Sequence, residues 1–180
     1  MTTPTRLRND VRALTTLAER DLSKLWQQVT TAAAAQQALN DTLPALIETY
    51  GMAAAALAAD WYDEARVKAG VGGSFRAFPI EVRDPGAPVL AGWALSEGKT
   101  LDTARVLVAG GVQRRIANAA RYTVARSSIA DPRAQGWRRV GDGSSCRFCS
   151  MLLGRGAVYT EASASFDAHD HCGCSAAPAF

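Results

Sequence analysis

The sequence predicts a mainly α fold, a long helical hairpin plus a third long helix, ending in a small C-terminal metal-stapled β module (α+β overall). Three observations predict it. Apolar residues recur at steps of three and four through most of the first 130 residues. After Trp137 the chain turns to short β-branched or aromatic stretches broken by glycine and serine. All four cysteines and both histidines lie between Cys146 and Cys174.

Composition sets the bounds. A chain of 180 residues is one domain, or one domain with a small appended module. Hydrophobic residues make up 48% and aromatics 7%. Much of the apolar fraction is alanine, which suits a thin helical core better than a compact enzyme. A net charge of +3 is too small to announce a nucleic-acid binder, and leaves weak contact with DNA or an acidic partner open. The polar start "MTTPTRLRNDVRALTTL" has no signal-peptide character. The most apolar stretch, "LPALIETYGMAAAALAADWY", is interrupted by Glu48 and Asp60 and reads as a buried helix rather than a bilayer span. The chain is therefore expected to fold in a reducing cytosol, where clustered cysteines favour metal over disulfides.

Residues 1–70 read as the helical hairpin. Leu7, Val11, Leu14, Ala18, Leu22, Leu25 and Val29 share one face of the first helix. Leu43, Leu46, Ile47, Tyr50, Ala54, Leu57, Trp61 and Ala65 keep the same period in the second. Asp41 or Thr42 is the expected N-cap, with Pro44 in the first turn and the hairpin joined near residues 32–40. "AGVGG" at 69–73 stops that helix.

Residues 71–99 are a connector rich in glycine and proline, with an extended piece at "FPIEV" and a short helix around Val89 to Leu95. Residues 100–130 form the third long helix, capped by Thr100, with Leu101, Ala104, Val108, Val112, Ile116, Ala119 and Thr123 on its apolar face. Gly110-Gly111 weakens its middle by roughly 1 kcal/mol per glycine, which predicts a close crossing or a kink. Residues 131–180 form the β module, with about three strands at "WRRV", "GAVYT" and "CSAAPAF". A unit of that size needs a staple.

The staple is a Cys/His set: Cys146-x2-Cys149, then His169, His171, Cys172 and Cys174. Two cysteines at that spacing grip one ion from a single knuckle, and a second cluster about twenty residues on closes the tetrahedron. Thiolates and imidazoles favour zinc over magnesium or calcium. Cys146, Cys149 and His169 are the expected ligands, with Cys172 or Cys174 as the fourth and His171 outside the set. Disulfides, a redox pair or unmetallated thiols are the competing readings. A redox pair would open a helix after a strand in a thioredoxin-like order, and that context is missing. The zinc is expected to be structural, and the chain is not expected to be an enzyme. No His-x-Glu precedes a Pro-Cys-x-x-Cys, no His-Glu-x-x-His is present, and enough ligands exist to close the site.

"GDGSS" is a turn without the Gly-Lys-Ser/Thr of a phosphate loop, and Asp60, Asp63 and Glu64 read as a solvated face. Arg114, Arg115, Arg121 and Arg126, continued by Arg133, Arg138 and Arg139, give the third helix a basic flank. That flank is a candidate contact for DNA phosphates or an acidic protein.

From Asp131 to Phe180, the succession Cys146, Cys149, Leu152, Gly154, Tyr159, His169, Cys172, Cys174 and Pro178 resembles the MuF-like phage head morphogenesis family, in the short form carried by actinobacteriophages. The N-terminal two-thirds share only a general helical character with it. The resemblance implies a minor capsid protein in the phage head, made in the host cytoplasm. It implies partners among the portal, scaffold or major capsid protein, and a metal held by the Cys/His set. Two departures stand out: the family often has His-Pro-x-Cys-Arg-Cys, where this chain has His-Asp-His-Cys-Gly-Cys. His171 is thus an added candidate, and Gly173 replaces a basic residue. Some members carry a fused protease or toxin; with six residues after Cys174, none is expected here.

Overall fold

The computed structural model describes residues 3–141, 145–160, 165–166 and 168–180. Its elements run α1 (Pro4–Trp26), α2 (Ala32–Lys68), α3 (Ala87–Gly98), α4 (Leu101–Ala130), β1 (Gly136–Val140), α5 (Arg147–Leu153) and β2 (Ser175–Ala179).

Thr3 caps α1 by accepting the Arg6 N–H, and Pro4 sits at the first turn, where a missing N–H is harmless. The buried face is Leu7, Val11, Thr15, Ala18, Leu22 and Trp26. Leu14 and Leu25 are only half-buried, because α1 packs against both α2 and α4 and its contact face is turned toward Thr15 and Trp26.

The second helix begins ten residues before the sequence-based boundary. Thr31, not Asp41 or Thr42, is the N-cap, and it accepts the Ala34 N–H at 3.2 Å. The Ala-Gln stretch expected to hold the turn is therefore the first turns of α2, as alanine's helix propensity favours once a capping threonine precedes it. Pro44 then lies inside the helix, where it supplies no N–H to the preceding turn. The Tyr50 hydroxyl donates to Asp21 across the hairpin at 2.6 Å. Among the described residues α2 is the one helix long and apolar enough to cross a membrane by length and composition. Its Leu39, Leu43, Ile47, Ala54, Ala58 and Tyr62 are buried against neighbouring helices.

The connector holds no strand. Its backbone is pinned to helices instead, through Ala77 N–H to Asp63 and Ile80 N–H to the Thr123 hydroxyl. Val82 packs where Gly51 has no side chain; a Cβ there would lie 2.7 Å from Val82 Cγ1.

A reciprocal capping box between Thr100 and Thr103 opens α4. This helix is buried on several sides because it packs against α1, α2, α3 and both strands. Gly110-Gly111 is a close approach on two sides. A Cβ on Gly111 would lie 2.5 Å from Leu90 Cδ1 of α3, and one on Gly110 would lie 2.7 Å from His171 Nε2.

β1 and β2 pair antiparallel, from Gly136 opposite Ala179 to Val140 opposite Ser175. The third expected strand, "GAVYT", shrinks to a single bridge between Tyr159 and Trp137. The Cys-x2-Cys knuckle carries a seven-residue helix, α5, that the sequence reading did not anticipate. Trp137 is fully buried, stacked on Tyr159 at 4.3 Å and on Phe166 at 5.6 Å between ring centres. These rings belong to one hydrophobic cluster that continues into the helices.

Candidate metal centre

Cys146 is the N-cap of α5. Its backbone is extended, its carbonyl accepts the Ser150 N–H at 2.8 Å, and its sulfur accepts the Cys149 N–H at 3.4 Å. One helical turn thus brings the two sulfurs of the knuckle to the same side. The second half is a tight turn closed by the Cys172 N–H on the His169 carbonyl at 3.2 Å. His171 takes the left-handed conformation in that turn, with φ of 60°.

The fold brings the two halves together. Ligand atoms of Cys146, Cys149 and His169 lie within 4.8 Å of one another, as do those of Cys149, Cys172 and Cys174. Cys149, common to both triads, is fully buried. Cys146 Sγ is 3.0 Å from His169 Nε2, and Cys149 Sγ is 3.5 Å from Cys172 Sγ. Metal–sulfur bonds of about 2.3 Å in a tetrahedron place two sulfurs about 3.7 Å apart, so the Cys149–Cys172 spacing is that of two ligands on one ion. His169 is oriented for the task. Its Nδ1 lies 2.7 Å from the Asp170 carbonyl, which can only accept, so Nδ1 donates there and Nε2 is the ring nitrogen turned to Cys146.

The thiols are unequal. The Cys149 N–H and the contact with His169 hold the Cys146 thiol down to about 7. Burial pushes Cys149 up to about 11. Cys172 and Cys174 share a proton: the hydrogen bond from Cys174 favours the Cys172 thiolate, and Cys174 is pushed up. Ser145 Oγ lies 3.7 Å from Cys174 Sγ.

Among the described residues, neither triad includes His171. Its backbone N–H donates to Gln113 Oε1 at 2.9 Å, and its ring lies over Gly110.

The arginines expected to form one basic flank are dispersed. Arg121 is buried and donates to the carbonyls of Cys174 (2.9 Å) and Cys172 (2.6 Å) and to Asn118 (2.8 Å). Burial lowers its pKa, opposed by the charge of the nearby thiolates. Arg139 is also buried, its guanidinium 3.9 Å from the Phe166 ring centre, with that of Arg121 5.1 Å from the same ring. Arg114 pairs with Asp170 at 3.0 Å, and Arg115 pairs with Asp84. Arg126 and Arg138 remain exposed. The correction has a local cause: Arg121 sits four residues after Ala117 and three before Val124, both buried, which places it on the inner face of α4. That spacing was the signal that Arg121 is buried, and sequence reasoning took it for surface charge.

No curated protein and no solved structure matches the chain. The model of one protein family, described as VG15 protein, matches residues 1–180, the full length read here. The chain belongs to the VG15 protein family, a viral (phage) family.

Proposed function

We propose that this protein is a structural minor capsid or head morphogenesis protein of a tailed phage, made in the host cytoplasm and carried in the virion head near the portal vertex. Membership of a viral family and the MuF-like succession of residues from Asp131 to Phe180 support the reading. The observation that carries it is the convergence of five Cys/His donors from the α5 knuckle and the C-terminal turn, the turn clamped to α4 by Arg121. With more donors than a tetrahedral ion takes, the centre closes and staples rather than catalyses. Zinc is the metal that thiolates and imidazole select, held by Cys146, Cys149, His169 and either Cys172 or Cys174. Val89 and Trp93 on α3, and Phe148 and Met151 on α5, are exposed apolar side chains that supply surface for the portal, scaffold or major capsid protein.

Metal content of protein purified without added metal, with a thiol count before and after chelation, tests the centre. One zinc per chain, with thiols reacting only after chelation, is expected; metal-free protein with no free thiols would replace the zinc by disulfides. Quantitative mass spectrometry of purified heads tests the role. A few to several copies per head are expected, and absence from both mature and precursor heads would overturn the assignment.

A further inference from the structure

A cavity of about 230 Å³ opens between α1, α4 and the turn that leads into β2. Arg8 and Arg12 face it from α1, Gln113 and Arg121 from α4, and His171 and Gly173 from the turn. Its walls hold three arginines against one carboxylate, Glu19, and the Cys172–Cys174 pair, whose thiolate charge acts on Arg121 and leaves Arg8 and Arg12 as the arginines of α1 facing the cavity. The helix edges that border the core elsewhere are lined mostly by alanine, leucine and valine, so this concentration of guanidinium groups is a local departure from the pattern.

From these groups we infer that the cavity binds a phosphate oxyanion, either free or as the phosphodiester of a nucleic-acid strand. Arg121 supplies a cation whose position is fixed: it is 2% exposed and tied by three hydrogen bonds, so its charge acts through low dielectric. Arg12 supplies a second, solvent-facing cation. It is exposed, no carboxylate among the described residues pairs with it, and its Nη2 lies 4.0 Å from the place a Cβ on Gly173 would occupy. Gly173, with no side chain, leaves that approach open to Arg12 from another helix. Gln113 accepts the His171 N–H through Oε1, which leaves its NH₂ as a further donor. A planar fork beside a fixed cation matches the oxygens of a tetrahedral oxyanion better than a single carboxylate.

The test uses the full-length, metal-loaded protein, with inorganic phosphate and a short single-stranded oligodeoxynucleotide as probes at matched ionic strength. Saturable binding of inorganic phosphate is expected. Arg12→Gln should weaken it about tenfold or more, and Arg126→Gln, outside the cavity, should leave it unchanged. If the oligonucleotide also binds, is competed by phosphate and weakens in the same variant, the phosphodiester is the physiological form. If it does not bind while phosphate does, the ligand is the free ion or a phosphomonoester. Phosphate that binds no better than chloride at equal ionic strength would overturn the inference. So would phosphate binding that Arg12→Gln leaves intact.

Discussion

Arg66 and Asp131 form an ion pair of 2.8 Å with side chains 6% and 0% exposed, joining the end of α2 to the end of α4. Arg66 also donates to the carbonyls of Val71, Gly72 and Gly73, and the Tyr62 hydroxyl donates to Asp131 at 3.2 Å. One guanidinium therefore closes the glycine turn that ends α2 and neutralises the carboxylate that ends α4.

Removing one partner leaves the other charge buried. Asp131→Ala should cost about 3–5 kcal/mol, read as a lowered urea midpoint. An apolar replacement of both residues should cost markedly less.

The same pair sets an acid limit. Burial alone would raise the Asp131 carboxyl, but the Arg66 bond and the Arg133 N–H outweigh it and hold the pKa below its ordinary 3.8. A lowered folded-state value gives stability that is present above the unfolded value and lost as pH falls through the folded one. Wild type should thus lose its advantage over Asp131→Asn below about pH 4, and keep it unchanged between pH 5 and 7. Denaturant midpoints of the two proteins across that range check this.

Metal binding should release protons. At pH 8 the Cys149 thiol, pushed up to about 11 by burial, still carries its proton and must lose it to become a ligand. Cys146, held down to about 7, is mostly thiolate already and regains its proton as pH falls. Titration calorimetry in buffers of different ionisation enthalpy should show net proton release at pH 8. The affinity should weaken steadily from pH 8 to pH 6.

Chelation should act locally first. Hydrogen exchange of the metal-free protein should show lost protection in α5, β1 and β2, whose pairing depends on the stapled turn. The interior of α2, buried along Leu39, Leu43 and Ile47, should stay protected.

Gly110 and Gly111 should respond differently to alanine, although both changes gain helix propensity. At Gly111 the new methyl meets Leu90, itself buried in the core, and a cost of about 1–3 kcal/mol is expected. At Gly110 the nearest group is the exposed His171 ring, which can swing away, so the cost should be smaller and metal stoichiometry unchanged. Thermal melts with metal analysis separate the two.

Most helices were legible because local signals agreed. Thr100 and the glycines after Lys68 mark ends that the structure keeps. The start of α2 was misplaced because Pro44 looks like a first-turn residue. Thr31, a weaker signal, makes the actual cap. That these cysteines and His169 come close enough to bind a metal ion was legible from residue type and interval. Arg121 and Arg139 were not, because a buried arginine and a surface arginine read alike until the helix face is known. The loss of "GAVYT" as a strand has a similar cause: a short β-prone stretch forms a strand only where a partner edge is offered, and among the described residues it bridges to Trp137 alone.

The bonds from Arg121 to Cys172 and Cys174 also have a mechanical meaning. They fasten the metal turn to a rod of 30 residues, about 45 Å long, rather than to its tip. A pull on the C-terminal module is then a sideways load on a beam braced along its length by α1, α2 and α3. Such a joint resists bending in a way that a flexible tether cannot.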